Sequence, residues 1–185
     1  MNTPLSGQAV ERRAWLALLA RATRTELDTG LDAVFGQTPR PTFDWLRAPE
    51  TGLAMVRART GGTGDPFNSG EATVTRAVLR LKLVATSPTS AGVSGADHGD
   101  ARDIGNDPAP RPASPVGISY QLGRDKRRAE LAALADALLQ TPERCEALRV
   151  HLLVPVGRRL EAQRLERQTD AASTRVEFFT MVRGE

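Results

Sequence analysis

Residues 50–80 read ETGLAMVRARTGGTGDPFNSGEATVTRAVLR, two alternating flanks around a glycine-rich centre. In Gly52–Thr60, Leu53, Met55, Arg57 and Arg59 share one side while Ala54, Val56 and Ala58 share the other, which is the period of a strand. Ala72–Val84 repeats the pattern, with Thr73, Thr75, Ala77, Leu79, Leu81 and Leu83 opposed to Val74, Arg76, Val78, Arg80 and Lys82. The segment between them, Gly61–Gly70, holds four of the sixteen glycines. Two such runs predict an antiparallel hairpin with one buried face and one arginine-bearing face, joined by a long turn.

Upstream, residues 8–23 put Val10, Trp15, Leu18, Leu19 and Ala22 on one helical face. Thr25, with Asp28 three residues on, is the expected cap of a second helix striped by Leu27, Leu31, Val34 and Phe35. Gly36 is its expected stop, and Pro39 and Pro41 oppose continuation. Thr42–Arg47 alternates around Phe43 and Trp45, a short strand of its own.

Downstream, residues 85–115 are dense in Pro, Gly, Ser, Ala and Asp and poor in large apolar groups, a composition expected of a flexible surface insertion. Val116, Ile118, Tyr120 and Leu122 then alternate as a further strand. Gly123 ends it, Asp125 caps, and Lys126–Gln140 aligns Leu131, Leu134, Ala135 and Leu138 as a helix. Thr141-Pro142 opens the next helix, with Cys145, Leu148 and Leu152 inward. Pro155 and Gly157 are expected to break it before a charged helix from about Arg158 to Asp170. Thr174–Arg183 closes the chain as a strand with Val176, Phe178, Thr180 and Val182 on one face and Phe179 and Met181 on the other, in need of cover on both. The expected architecture is α+β, one domain over residues 1–185, with about four to five strands in a small antiparallel sheet and about five helices.

The bulk composition narrows the function. At 185 residues, 40% hydrophobic and 25% charged, the chain suits one soluble domain. No run approaches the ~18 apolar residues of a membrane span. The N-terminal segment has no basic start followed by an apolar stretch, so no secretory signal is expected. A lone Cys145 permits no internal disulfide, and cytoplasmic residence is the expectation. Net charge is +3, carried almost wholly by arginines interleaved with acids, Lys82 and Lys126 being the only lysines. That pattern is a compositional bias first. Arginine's bidentate grip on phosphate gives a phosphate-bearing partner some weight.

No self-sufficient active site emerges from the residues. The loop fails the P-loop pattern, since Glu71 stands where lysine is required, and fails the dinucleotide pattern because Phe67 occupies the last glycine position. Its glycines, with Thr63, Ser69 and the flanking Arg57, Arg59 and Arg76, suit either an anion held on backbone amides or a plain connection needing positive φ. His98, His151 and Cys145 supply no metal-ligand spacing, and Cys145 suits a small core residue better than a nucleophile. Glu50, Asp65, Glu71 and Asp125 each suit an acid or base, and more commonly such carboxylates are solvated partners of neighbouring arginines. A nucleic-acid surface ranks low, because the arginine face interleaves Val74 and Val78 where base-stacking aromatics are needed.

Three blocks, ETGLAMVRARTGGTGDPFNSGEATVTRAVLRL, GISYQLGRDKRRAELAALADALLQ and TRVEFFTMVRG, resemble in order the signature blocks of the PhnG family, and the likeness runs from the Trp15 helix to Gly184. The family is a subunit of the carbon–phosphorus lyase core complex of bacterial phosphonate metabolism. The resemblance implies an assembly with PhnH, PhnI and PhnJ, two copies of each, and with PhnK and PhnL as ATP-binding-cassette partners. It implies a role with PhnH, PhnI and PhnL in displacing adenine from ATP by a phosphonate, giving α-D-ribose 1-methylphosphonate 5-triphosphate. ATP is then a substrate of the complex, with no cofactor held by this chain alone. An accessory or scaffold role is implied, with no catalytic residue carried over. Matching positions give Arg57, Arg59, Gly61, Gly62, Thr63, Gly64, Arg76, Arg124 and Asp125 as anion or interface candidates, and Glu71 beside the loop joins them. Phe178, Phe179, Met181 and Arg183 are the expected partner contacts. The insertion at 85–115 departs from the family pattern.

Overall fold

The computed structural model describes residues 7–82 and 114–174. The described elements are α1 (Gly7–Leu19), α2 (Arg24–Phe35), β1 (Phe43–Arg59), β2 (Pro66–Leu81), β3 (Val116–Leu122), α3 (Lys126–Leu139), α4 (Pro142–Leu148) and α5 (Val154–Ser173). The architecture is α+β: an antiparallel sheet in the order β1-β2-β3 with helices on one face. Among the described residues three strands stand where about four to five were expected of the whole chain. Two predicted pieces, Thr42–Arg47 and Gly52–Thr60, are one strand, and the predicted strand Thr174–Arg183 lies almost entirely outside the described residues, as does most of the 85–115 insertion.

β1 runs unbroken past Pro49 because it is the edge strand of the described sheet, where a missing N–H costs no ladder bond. Its register slips between Trp45 and Arg47, between Arg47 and Glu50, and between Val56 and Arg57. The predicted helix break at Pro155 and Gly157 is also corrected. A π-helical turn, Arg149–Leu153, joins α4 to α5 with helical backbone angles at both junctions, so the five α-helices form four helical bodies. Pro155 falls in the first turn of α5, where its absent N–H and ring are tolerated after such a bulge.

α3 is the centre of the fold. Residues Leu131–Leu139 are all buried, as expected of a helix covered all round, by the sheet on one side and by α1, α2 and α4 on the others. Leu19, Leu27, Leu31, Leu79, Leu148 and Leu152 complete the core, each worth about 1.5–3 kcal/mol of burial. The alternation in β3 is inverted relative to hydrophobicity. Gly117, Ser119 and Gln121 face α3, while Tyr120 and Leu122 stand 60% and 68% exposed. Small residues meet there: Ser119 Oγ donates to the Ala129 carbonyl at 2.6 Å, and the α3 backbone lies against Gly117.

The α2 cap is Thr23, not Thr25. Its hydroxyl accepts from Glu26 N at 3.2 Å and Glu26 Oε2 accepts from Thr23 N at 2.7 Å, a complete capping box. Glutamate makes this exchange where Asp28 lacks the reach. Gly36 stops α2 with φ 55°, as expected. Asp136, fully buried on α3, accepts from Trp15 Nε1 at 2.8 Å, from Ile118 N at 2.9 Å and from Arg12 Nη2 at 2.7 Å. One carboxylate thus ties α1 and the outer edge of β3 to the central helix.

Candidate partner and anion surface

Among the described residues, helices cover the sheet only where β2 pairs with β3. From Val74, opposite Leu122, to Arg80, opposite Val116, β2 alternates between buried and open faces. Beyond it, β1 and β2 continue as a two-stranded arm in which no residue from Thr51 to Glu71 is buried. Leu53 is 69% exposed and Met55 61%, with Val56 and Phe67 also exposed. Leu53, Met55, Arg57 and Arg59 share one face of the arm, and Ala54, Val56 and Ala58 share the other with Phe67.

Among the described residues the arm also has an unpaired backbone edge. Gly123 N bonds Thr73 O and Leu81 N bonds Pro115 O, so the odd-numbered residues of β2 serve β3. The even-numbered ones serve β1, pairing Arg76 with Glu50, Val74 with Gly52 and Ala72 with Ala54. The amides and carbonyls of Thr51, Leu53 and Met55 therefore point away from the sheet. Register irregularities lie on either side of this stretch, and none lies within it.

At the tip, the connection is shorter than the predicted Gly61–Gly70 loop. β2 starts at Pro66, leaving Thr60–Asp65, with Gly61 at φ 61° and Gly62 at φ 80° in the left-handed region that favours glycine. The Thr60 carbonyl accepts from the backbone N–H groups of Thr63 and Gly64. Arg59 Nη1 donates to the Gly64 carbonyl at 3.0 Å. Gly70, at φ 147°, sits at the slip beside Val56.

The predicted candidates do not form one cluster. Arg57 and Arg59 flank the turn with Gly61, Gly62, Thr63 and Gly64, and neither arginine has a carboxylate within salt-bridge distance among the described residues. Arg76 is elsewhere. It lies eight residues along β2 from the Asn68 that faces Arg57, about 26 Å at a strand's rise per residue. There Arg76 Nε donates to Glu50 Oε1 at 2.7 Å, and Arg47 approaches the same oxygen at 3.4 Å. Glu71 stands midway, across from Met55. Arg124 is exposed in the turn after β3, and Asp125 caps α3 by accepting from Arg128 N at 2.9 Å. Phe178, Phe179, Met181 and Arg183 lie outside the described residues.

Burial, then the charge of Glu146, pushes the Cys145 thiol above its ordinary value, which disfavours the nucleophilic thiolate. Among the described residues no three metal-binding side chains cluster, and no helix is long and apolar enough to cross a membrane. What the sequence pattern did not single out is a groove of about 700 Å³ between the end of α1 and α5, lined by Arg21, Arg164 and Arg167. The spacing of Arg164 and Arg167 with Leu160 and Ala171 along one helical stripe was the available signal.

A model of the family described as "Phosphonate metabolism protein PhnG" matches residues 10–184. A protein of Rhizobium meliloti (strain 1021), named "Alpha-D-ribose 1-methylphosphonate 5-triphosphate synthase subunit PhnG", is 42% identical over 175 residues, covering 95% of this chain and 90% of that relative.

Proposed function

The chain belongs to the PhnG family, and on that premise we propose that it is a partner-binding, non-catalytic subunit of a synthase that joins a phosphonate to a ribose triphosphate. In this reading the phosphonate oxygen attacks the anomeric carbon of ATP and adenine leaves. PhnH-, PhnI- and PhnL-like subunits are required with this chain, and PhnJ- and PhnK-like subunits complete the lyase system. The observation that carries the reading is the arm, Thr51–Glu71, which presents Leu53, Met55, Val56 and Phe67 and a strand edge that no described residue covers. Exposed apolar surface beside an unpaired edge is interface material.

Ala54 and Ala72 face one another in the hairpin, so Met55–Glu71 is replaceable by Asn-Gly, a two-residue turn suited to such a pair. Co-expressed with the remaining synthase subunits, the wild-type chain is expected to retain them through affinity purification and the shortened chain to lose them. Retention of every subunit by the shortened chain sinks the scaffold role of the arm.

A second reading is favoured by one specific observation: Arg57 and Arg59 precede a positive-φ glycine pair, with no carboxylate partner among the described residues. The arm's tip then lends cations and amides to a phosphate site shared with a neighbour. Replacing both arginines by alanine is expected to leave assembly intact and lower product formation by about tenfold or more, the effect of losing charged phosphate contacts. Undiminished turnover in an assembled complex rejects it.

A further inference from the structure

From residue 161 to its end, α5 is exposed throughout. A helix so rich in charge gains little from its own packing there and needs a neighbour along it. One stripe of it, with the end of α1, forms the groove already described. Leu18, Leu160 and Ala171 contribute apolar floor, while Arg21, Arg164 and Arg167 supply three cations against the single carboxylate of Glu161. None of the three arginines makes a salt bridge among the described residues, whereas Arg159, nearer the body, is engaged by Glu26 at 2.6 Å.

We propose that the groove between α1 and α5 receives an acidic, amphipathic helical segment of another subunit of the synthase. This rests on the subunit reading above and names the chemistry of the partner. Length argues for a helix: the lining from Gly157 to Ala171 spans about 21 Å, four turns of helix. A single phosphate would leave most of that length and its apolar floor uncovered. Charge selects the occupant. A second copy of α5 would set Arg164 and Arg167 against themselves. The chain's own residues 175–185 carry Arg175 and Arg183 against Glu177 and Glu185, with no net side-chain charge, and the acidic segment 83–113 is poor in the large apolar groups that the floor asks for. Nucleic acid would match the arginines but leave Leu18 and Leu160 without apolar contact. An acidic amphipathic helix satisfies both, in the helix-in-groove mode.

The test uses the full chain co-expressed with the remaining synthase subunits. In the variant R164E/R167E both changed side chains are solvent-exposed, so its melting temperature and helix content should equal those of the wild type. Its yield of one co-purified subunit should fall about tenfold or more, as expected when attractive charges turn repulsive across an interface. A photo-crosslinking residue at Gln168 should form an adduct to that subunit within an acidic helical peptide. An R164E/R167E complex recovered at full yield overturns the proposal, as does an adduct to a neutral or basic peptide. A subunit released by nuclease treatment of the wild-type complex reassigns the groove to nucleic acid. If the wild type itself retains no subunit, the subunit reading falls and the groove's partner with it. If the wild type assembles and so does the variant, only the groove proposal fails.

Discussion

A single missing methyl sets the spacing of the two layers. A Cβ built on Gly117 would lie 1.9 Å from the Ala133 carbonyl oxygen and 2.9 Å from Ala137 Cβ, so α3 rests directly on the β3 backbone. Gly117→Ala must push α3 off the sheet and is expected to lower stability by about 1–3 kcal/mol. The comparison is Gly52→Ala, where an added Cβ meets nothing within 4 Å. Urea denaturation of both variants reads the difference, and equal midpoints would show that α3 moves away freely. The same crowding explains why β3 was legible as a strand but not as to its side. Its Val116, Ile118, Tyr120 and Leu122 alternate clearly, yet the covered face is the one with Gly117, Ser119 and Gln121, because an alanine-rich helix asks for small neighbours. Hydrophobicity alone does not reveal which face a helix will choose.

At the scale of elements, capping and interhelical anchoring meet at Glu26. Burial pushes its carboxyl up, but hydrogen bonds from Arg159 and from the Thr23 backbone and hydroxyl, with the charge of Arg159, outweigh burial and hold it below its ordinary value of 4.5. A folded-state value depressed below the unfolded one contributes stability that is complete above the unfolded value and vanishes as pH falls through the folded one. The melting-temperature gap between wild type and Glu26→Gln should therefore be constant near neutrality and close progressively below about pH 4.5. A gap that does not change with pH would remove Glu26 as a charged anchor of α5. The α2 stripe of Leu27, Leu31 and Phe35 was readable from periodicity, since all three are buried. The cap was misread by two residues because Thr23 and Thr25 both have an acid three positions on, and only glutamate at that spacing closes the box. The expected break at Pro155, and the expected gap between the strands Thr42–Arg47 and Gly52–Thr60 in which Pro49 falls, are both absent. Tolerance of the two prolines depends on a π turn in the first case and an edge position in the second, neither of which is written nearby in the sequence.

For the molecule as a whole, the helical body and the arm are energetically separable. The buried cluster draws on α1 to α4, β2, the π turn and the start of α5, and takes nothing from Thr51–Glu71. The Asn-Gly replacement of Met55–Glu71 should consequently leave thermal stability within about 1 kcal/mol of the wild type while assembly is lost, since the removed residues are solvent-exposed or half-buried. A collapse of the fold would mean that the arm supports the body. The hairpin itself was visible in its alternation. The dispersal of its arginines was not, because one strand's length separates Arg57 from Arg76, and Glu50 occupies the latter.

The open edge from Thr51 to Met55 carries a consequence for how the chain is made. Within Thr51–Met55 this edge carries neither a charged side chain nor a proline, so a copy synthesised in excess of its neighbours offers a template to another like itself. Supply of this chain is thus best matched one for one with that of whatever pairs with it. Overproduced alone, it should accumulate as insoluble material that balanced co-production rescues.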